Sequence, residues 1–587
     1  MALPQFLLLS NTAHFKYKIF PSLSTMKSSC VPSSIQCKAS SVITSDQNNT
    51  SRLYTNYFQP SIWNHDYIQS LTSDFLEKSY AEETDRLKEE VRIMLLKLEN
   101  PMDQLELIDI LQRLGVDHHF GLEISNIIES VYKSKDTLKR NNNLYVTALE
   151  FRLFRQHGYD VSSEVFKGFL DDKGNFPSGL SVDIKGMLSL YEASFLSMEG
   201  EIILDEARNL SSTYLKEFIH HNKEENETSL LVNHALELPL HWRISRLEAR
   251  WFIDVYEKRQ HMNPALVKLA KLDFNILQAK YQEDLKNTSR WWKRIGLGEK
   301  LSFSRDRMVE NYVWTVAFAE ESHFGYYRTV ATKVNAFITT IDDIYDVHGE
   351  LEELEIFTQV IDRWDINAID FLPGYMKICF LALYNFVIQV AFDILKENGQ
   401  NIIPHLKKVW ADLCKSYLTE AKWLRNGHQP SLQEYLENAW ISSSAPVILV
   451  HAFMVLSNTS FSNPVCLEDY YDLIHSSSII LRLTNDLGTS KREKETGDIA
   501  KSVECYMNET GASEADAQRH INSLIYETWK KMNKEATNCP DFKSFIEVAL
   551  NVGRMSLCMY QHGDAHSIQD LVTKNSIMSL LFQPIIV

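Results

Sequence analysis

Apolar residues recur at helical spacing along most of the chain. Segments such as "DRLKEEVRIMLLKLEN" and "QLELIDILQRLGV" place them three or four positions apart, and short polar turns separate these segments. Few segments alternate apolar and polar residues as strands do. Glycine and proline are scarce, with 20 and 15 residues in a chain of 587. The pattern predicts an all-α protein.

A chain of 587 residues is too long for one ordinary core, so we expect two helical domains. Residues 51–265 form helical segments without any cluster of chemically reactive side chains, whereas residues 266–587 contain all such clusters. The boundary is placed at Pro264, in "RQHMNPALVKLAKLDF". We therefore expect an N-terminal helical domain, 51–265, and a C-terminal catalytic domain, 266–587.

Residues 1–50 differ from the remainder of the chain in composition. They are rich in serine and threonine, and Asp46 is their single acidic residue. The apolar "FLLL" is too short for the core of a secretory signal. This composition predicts a plastid transit peptide and a location in the chloroplast stroma. An untargeted tail is the alternative.

Charge and cysteine usage narrow the classes of partner. The formal net charge is −17 and there is no block of lysine and arginine, which argues against a nucleic-acid partner. The eight cysteines show no CxxC spacing, as expected for a reducing compartment. The longest apolar run, "ICFLALYNFVIQVAFDIL", is interrupted by Asn385 and Gln389, so we expect a buried helix and no membrane span.

Three aspartates end an otherwise apolar helical segment in "NAFITTIDDIYDVHGE". On a helix Asp342 and Asp346 share a face, and Asp343 lies about a quarter-turn away. Buried carboxylates without partners are costly, so they require cations or protons. The pattern favours a site for a hard cation. The alternative is a solvated helix end before Gly349.

A second motif supplies further oxygen ligands. In "LRLTNDLGTSKREKE" the residues Asn485, Thr489 and Glu493 are each four positions apart and share one helical face. Magnesium takes oxygen ligands, and substrate phosphates commonly complete its shell. We call the three aspartates the first wall, and Asn485, Thr489 and Glu493 the second wall, of this predicted metal site. Neither set alone completes the shell of a metal ion, so the two sets suit a polyanionic ligand between them. The alternative is an amphipathic helix with its polar face in solvent.

Arginines lie near both motifs. Arg305 and Arg307 precede the aspartates, and Arg482 lies one turn before Asn485. Guanidinium groups make planar bidentate contacts with phosphate oxygens and keep their charge. They are therefore candidates to grip a diphosphate, with surface ion pairs as the alternative.

Together, "DDIYD", "NDLGTSKREKE" and the preceding "RDR" resemble the motifs of plant class I terpene synthases. The resemblance runs from about Trp63 to the C-terminus and is strongest with the angiosperm monoterpene synthases. It also includes "RWWKRIGL", "RWDINAID" and "ADLCKSYLTEAKW". It implies that the C-terminal domain is a class I terpenoid synthase helical bundle.

The resemblance implies a lyase that ionises a prenyl diphosphate, specifically geranyl diphosphate. Three Mg²⁺ ions, for which Mn²⁺ could substitute, would be present with the substrate. The metal ligands would be Asp342, Asp343, Asp346, Asn485, Thr489 and Glu493. The residues that contact the substrate would be Arg305, Arg307, Arg482, Trp314, Tyr560, Asp564 and His566. Trp314 and Tyr560 would line the hydrocarbon pocket, and His566 or the released diphosphate would accept the final proton.

The N-terminal segment departs from the family pattern. Monoterpene cyclases carry a tandem-arginine motif before a tryptophan; here Trp63 is present, but the arginine positions hold Leu53 and Tyr54. A lone Arg52 stands beside them. In the family the pair is associated with isomerising the substrate to a cyclisable form. Its absence predicts an acyclic product of the myrcene, ocimene or linalool type.

Two other functions stay open from the sequence. One is a sesquiterpene synthase acting on farnesyl diphosphate, which the transit-like segment disfavours. The other is a non-catalytic protein that binds prenyl ligands, since a resemblance in fold does not establish activity. We expect a monomer whose partner is a small prenyl diphosphate.

Overall fold

The computed structural model describes residues 61–134, 143–174, 176–222, 226–457, 466–496, 499–539, 542–561, 563 and 571–587. The predicted transit peptide, 1–50, lies outside these residues, as do Arg52, Leu53 and Tyr54. The described residues contain helices and turns and no strand, which confirms the all-α prediction.

The first ten α-helices precede the residues of the predicted site. They are α1 (His65–Ser70), α2 (Lys78–Lys97), α3 (Pro101–Arg113), α4 (Gly121–Lys133), α5 (Leu144–Gln156), α6 (Ile184–Ser194), α7 (Ile202–His221), α8 (Glu227–Glu237), α9 (Ser245–Tyr256) and α10 (Pro264–Ile295). A short 3-10 turn, Asp117–Phe120, leads into α4.

The remaining helices contain the predicted site. They are α11 (Leu297–Lys300), α12 (Met308–Phe318), α13 (Gly325–Asp343), α14 (Leu351–Arg363), α15 (Gly374–Asn398), α16 (Ile403–Asn426), α17 (Leu432–Ser442), α18 (Ala445–Leu456), α19 (Tyr471–Thr496), α20 (Ser502–Thr510), α21 (Glu514–Asn538), α22 (Lys543–Tyr560) and α23 (Leu571–Ile577). Two π turns, Ile344–His348 and Met578–Phe582, continue α13 and α23.

The long helix α10 shows how local sequence sets helix ends. Asn263 caps it by accepting hydrogen bonds from the backbone of Ala265 and Leu266, and Pro264 takes the first helical position, where no donor is needed. The helix ends at Gly296, whose φ of 67° is left-handed and suits glycine. These signals define a helix of 32 residues.

Two large hydrophobic clusters fill the interior, and α10 contributes to both. Residues of α2 to α9 form one cluster together with the Ala265–Phe274 part of α10. The other joins Leu277–Trp292 of α10 to helices α12 to α22. Trp63 belongs to the second cluster, with its ring 5.1 Å from that of Phe582. The two helical layers therefore share α10, and the exact domain boundary at 265/266 stays a prediction.

Five helices of the second cluster contact one another in a closed sequence. Helix α12 packs on α13, α13 on α18, α18 on α19, α19 on α22, and α22 returns to α12. Every residue of α12 and of α18 is buried. This ring places the ends of α13, α19 and α22, which carry the predicted site residues, in one part of the molecule.

Two segments have the length and apolarity of a membrane span, Gly374–Asn398 and Leu432–Leu456. By composition alone this is weak evidence, because core helices of large bundles pass the same test. In the second segment 83% of the apolar window is buried within the protein. The first, α15, packs on α13 and α16. We read both as helices of the bundle.

Candidate active site

The first predicted metal wall lies at the end of α13. Asp342 and Asp343 are its last two residues, and Asp346 follows within the π turn Ile344–His348. The expectation of a regular α-helix is therefore wrong over this turn. The amide of Gly349 closes the turn by donating to the carbonyl of Ile344 at 2.8 Å. A Cβ on Gly349 would lie 2.8 Å from that carbonyl oxygen, so glycine is required.

The three aspartates differ in exposure. Asp343 is fully buried, Asp342 is partly exposed, and Asp346 is exposed. Burial raises the pKa of Asp343 to about 6, although the positive charge of Arg305 opposes this shift. The wall thus presents carboxylates that range from the protein interior to the solvent.

The loop before α12 anchors the buried aspartate. Oδ2 of Asp343 accepts hydrogen bonds from the hydroxyl of Ser304 at 3.1 Å and from the backbone amide of Arg305 at 2.7 Å. Nε of Arg305 lies 2.9 Å from Oδ1 of Asp343, and Nη2 of Arg305 contacts Asp342. Arg305 therefore lies against both carboxylates, and its predicted contact with a diphosphate stays a prediction.

Arg307, the second arginine of the "RDR" motif, is buried at the start of α12. It is 1% exposed, and its Nη1 donates to the carbonyl of Asp306 at 3.0 Å. Burial lowers its pKa, while the nearby charge of Glu310 acts in the opposite direction. Its guanidinium is less accessible than that of Arg305.

The second predicted wall lies on α19. Asn485 and Thr489 are one turn apart, and the hydroxyl of Thr489 donates to the carbonyl of Asn485 at 2.9 Å. Arg482, on the preceding turn, contacts the side-chain oxygen of Asn485 through Nη2. Glu493 lies on the same helix, but its side chain is outside the described residues. The residues of the wall that can be placed adjoin a guanidinium, as in the first wall.

A buried carboxylate that the sequence analysis missed holds Arg482 in place. Asp486 is fully buried and lies 2.8 Å from Nε of Arg482. It also accepts hydrogen bonds from the hydroxyl of Tyr435, at 3.0 and 3.1 Å, and from the amide of Ser502 at 3.2 Å. Only the adjacent "ND" in the motif pointed to this residue, and its partners Tyr435 and Ser502 lie outside the motif.

Tyr417 on α16 is buried where charges of both motifs act on it. Burial raises the pKa of its phenol, the charges of Asp342 and Asp346 act in the same direction, and that of Arg482 opposes them. The sequence motifs contain no signal for this tyrosine, because its position depends on the packing of α16.

The aromatic residues predicted for the pocket come together at the end of α22. The ring centroids of Trp314 and Tyr560 are 6.2 Å apart. Gly488 on α19 permits this approach, because a Cβ there would lie only 2.9 Å from Cβ of Tyr560. Asp564 and His566 lie outside the described residues.

His348 ties the first wall to the loop that carries Arg305. Its imidazole stacks on the ring of Phe303, with centroids 4.1 Å apart and planes 8° from parallel. Tyr375 packs edge-on against both rings. The sequence offered no role for this histidine, and the structure gives it one in packing.

Family models match both parts of the chain. One described as "Terpene synthase, N-terminal domain" matches residues 62–236, and one described as "Terpene synthase family, metal binding domain" matches residues 293–531. The chain belongs to the terpene synthase family. The second match spans both predicted walls of this terpene synthase, which makes the chain an enzyme of lyase type with a divalent-metal cofactor.

Individual relatives agree with this assignment. A myrcene synthase of Quercus ilex, named chloroplastic, is 56% identical over 533 residues, which cover 90% of this chain and 89% of the relative. A limonene synthase solved with 2-fluorolinalyl diphosphate is 44% identical, with a TM-score of 0.86 over 90% of this chain and 99% of its own.

A third comparison concerns metal ions directly. The isoprene synthase of grey poplar, Populus x canescens, solved with three Mg²⁺ ions and dimethylallyl-S-thiolodiphosphate, is 45% identical. Its TM-score is 0.81 over 89% of this chain and 99% of its own. The likeness confirms the predicted class I terpenoid synthase fold.

The donor set suits hard divalent cations. The placed side chains of the two walls offer carboxylate, amide and hydroxyl oxygens and no sulfur or imidazole. Oxygen-only sets of this kind favour Mg²⁺ and Mn²⁺ over softer metals. The residues at the ends of α13 and α19 thus fit the metal that the family description implies.

Proposed function

We propose that this terpene synthase is a plastid monoterpene synthase that ionises geranyl diphosphate with Mg²⁺. The observation that carries the proposal is the excess of carboxylates at the end of α13. Asp342 and Asp343 both contact the guanidinium of Arg305, and Asp346 follows in the adjoining π turn, so three carboxylates are available to a bound cation at this helix end. The metal ligands would be the two walls, with Glu493 completing the second.

Bound Mg²⁺, expected as three ions, would act as a Lewis acid and stabilise charge on the leaving diphosphate. Arg305 and Arg482 would donate hydrogen bonds to the diphosphate oxygens, since both lie beside the walls and keep their charge. Interactions that strengthen as charge develops on the leaving group lower the barrier to ionisation. Arg307, being buried, would act by its charge and by fixing the start of α12.

The hydrocarbon part of the substrate would lie against Trp314 and Tyr560. Aromatic faces stabilise a carbocation through cation–π attraction, worth about 2 kcal/mol when water is excluded. All eleven residues of α12, including Trp314, are buried, which supports an apolar environment there. Asp564 and His566 are proposed for the same region from their motif position, with His566 or diphosphate accepting the final proton.

We also propose an acyclic product of the myrcene, ocimene or linalool type. The support is the absence of the tandem arginines, at Leu53 and Tyr54, together with the 56% identity to a myrcene synthase. A limonene synthase at 44% identity represents the cyclic alternative. Pocket shape separates these outcomes, and such differences are worth only about 1–3 kcal/mol.

Residues 1–50 would be the transit peptide of a monomeric enzyme whose domains are 51–265 and 266–587. The relative named chloroplastic supports this location. A sesquiterpene synthase acting on farnesyl diphosphate in the cytosol is the competing assignment. A non-catalytic prenyl-binding protein is disfavoured because the polar residues of both walls are present.

The test is product analysis by gas chromatography and mass spectrometry. Protein beginning at Ser51 is incubated with Mg²⁺ and either geranyl or farnesyl diphosphate. We expect an acyclic ten-carbon product from geranyl diphosphate and none when the metal is chelated. Cyclic ten-carbon products would refute the acyclic proposal, fifteen-carbon products from farnesyl diphosphate alone would refute the monoterpene proposal, and no metal-dependent product from either would refute the catalytic one.

A further inference from the structure

A compact cluster of two histidines and an aspartate lies far from the two walls in sequence. His118 and His119 stand on the 3-10 turn before α4, and Asp273 lies on α10. Nε2 of His119 is 2.7 Å from Oδ1 of Asp273, and Nε2 of His118 is 3.6 Å from the same oxygen. One ligand atom from each residue lies within 4.8 Å of both others.

The two oxygens of Asp273 have separate neighbours. Oδ1 faces both imidazoles, whereas Oδ2 lies 3.2 Å from Nη1 of Arg246 on α9. Metal-binding carboxylates are commonly held by a hydrogen bond of this type, which fixes their orientation and leaves the other oxygen to the ion. Arg246 is 1% exposed, so the carboxylate it holds is firmly positioned.

The distances suit a small dication with modest adjustment. Ligand atoms about 2.0–2.2 Å from a tetrahedral zinc ion lie roughly 3.4 Å from one another. The two contacts to Oδ1, at 2.7 and 3.6 Å, bracket this separation. The side chains of His118 and His119 are 21% and 17% exposed, which provides a path for the ion and room for water as the fourth ligand.

The local charge also favours a cation. The carboxylates of Asp117, Asp273 and Glu320 act on the cluster together with the cations of Lys88 and Arg246. With neutral imidazoles the carboxylates are in excess, and a divalent ion bound by the three side chains would offset that excess.

We propose that His118, His119 and Asp273 form a binding site for a zinc-class transition-metal ion, distinct from the magnesium walls. Imidazole ligands favour Zn²⁺, Co²⁺ and Ni²⁺, whereas the oxygen-only walls favour Mg²⁺. The ion joins the turn Asp117–Phe120 to α10, which runs through both hydrophobic clusters. Its role is structural, and it takes no part in ionising the substrate.

The test uses Co²⁺ as a spectroscopic probe on the full chain after removal of bound metals. Excess Mg²⁺ is included so that the oxygen-only walls are already occupied. We expect one Co²⁺ per chain with the intense visible absorption of tetrahedral coordination, displaced by stoichiometric Zn²⁺. Below pH 6 binding should weaken, because the imidazoles must be neutral to bind a metal.

Variants test whether the Co²⁺ absorption comes from an ion bound at this cluster. His118→Phe keeps a flat ring but has no nitrogen to bind a metal. We expect this variant to lose the tetrahedral absorption band and to bind Zn²⁺ at least 10-fold more weakly. Substituting residues that only support metal ligands already costs about 10-fold in affinity. The control removes the exposed tandem pair on α7, His220→Ala with His221→Ala, and should leave both signals unchanged.

Several outcomes overturn the proposal. Octahedral absorption alone, no saturable Zn²⁺ binding, or a band that survives in His118→Phe would each contradict it. If His118→Phe does not fold, His118→Gln serves in its place. In addition, Zn²⁺ must raise the melting temperature of the metal-stripped wild-type chain, and no shift at saturating Zn²⁺ would refute the structural role.

Discussion

Buried charges are arranged differently in the two helical layers. On α9, Oε1 of Glu248 lies 2.8 Å from Nη2 of Arg113, and its Oε2 lies 2.5 Å from Nε2 of His234. Burial raises the pKa of Glu248, but the charge of Arg113 and the hydrogen bond from His234 outweigh it, and the pKa falls to about 2. Arg155 pairs with Glu201 in the same layer. These carboxylates have their cations within the protein.

At the end of α13 the carboxylates outnumber Arg305, the arginine that contacts two of them. Asp342 and Asp343 both contact Arg305, Asp346 follows in the π turn, and burial raises the pKa of Asp343 to about 6 despite that arginine. Both regions therefore contain carboxylates and arginines, but the ratio of carboxylates to arginines differs between them. A matched pair mainly holds the fold together, whereas several carboxylates around one arginine leave a place for external cations.

Removing a carboxylate of the first wall should have the largest effect on activity. We expect Asp342→Ala to lower kcat/KM with geranyl diphosphate by about 1000-fold, because metal stabilisation of the leaving group is worth several kcal/mol. The melting temperature should stay near that of the wild type. The control is Glu352→Ala, an exposed acid on α14, with turnover unchanged. Equal loss in both variants would contradict the account.

Removing a matched carboxylate should affect the fold instead. Glu248→Gln leaves the buried guanidinium of Arg113 without its counter-charge, and we expect the free energy of unfolding to fall by about 3 kcal/mol. Urea denaturation measures this change. The product distribution per folded enzyme should be unchanged. A stable variant with altered products would mean that this pair belongs to the site.

Substituting Asp486 tests whether its ion pair with Arg482 supports the site by positioning that arginine. Asp486→Asn keeps the shape but removes the charge that orients Arg482, and we expect kcat to fall about 10- to 100-fold with a higher Mg²⁺ requirement. Asp472→Asn, an exposed change on the same helix, is the control. A merely structural role would lower the melting temperature and leave the Mg²⁺ requirement unaltered.

The smallest expected effect concerns pH. Burial lowers the pKa of His241 to about 3, and its Nε2 lies 2.7 Å from Oδ1 of Asn533. The unfolded chain binds a proton at this residue below its usual pKa of about 6.5, whereas the folded chain does not, so stability falls as the pH drops from about 6.5 toward 3. One such group contributes about 1.4 kcal/mol per pH unit.

This contribution can be isolated with His241→Gln. We expect the slope of the unfolding free energy against pH, between pH 5 and 6, to be about 1.4 kcal/mol per pH unit smaller than in the wild type. This difference corresponds to one proton fewer taken up on unfolding. Burial also lowers the pKa of His451, to about 4, and that histidine keeps its contribution in both proteins. An unchanged slope would show that His241 is not kept neutral by the fold.

Local sequence accounts for the helices and for most of the proposed ligands. Helical spacing predicts the all-α fold, and the positions of Asp342, Asp346, Asn485 and Thr489 follow from two short motifs. The burial of "VNAFITTI" along α13 agrees with its apolar pattern. These features depend on residues within a few turns of one another.

Features that depend on distant residues could not be predicted in this way. Asp486 meets Tyr435 across 51 positions of sequence, and His348 meets Phe303 only after α12 and α13 have packed. Helical periodicity carries no information about such contacts, because side-chain packing between elements decides them.

The central claim is that the carboxylates at the end of α13 and the oxygen ligands of α19 bind divalent metal together with diphosphate. The most direct test is anomalous diffraction from crystals grown with Mn²⁺ and an unreactive analogue of geranyl diphosphate. We expect Mn²⁺ peaks bound by Asp342 and Asp346 on one side and by Asn485, Thr489 and Glu493 on the other. An analogue bound without Mn²⁺ at these side chains would contradict the account.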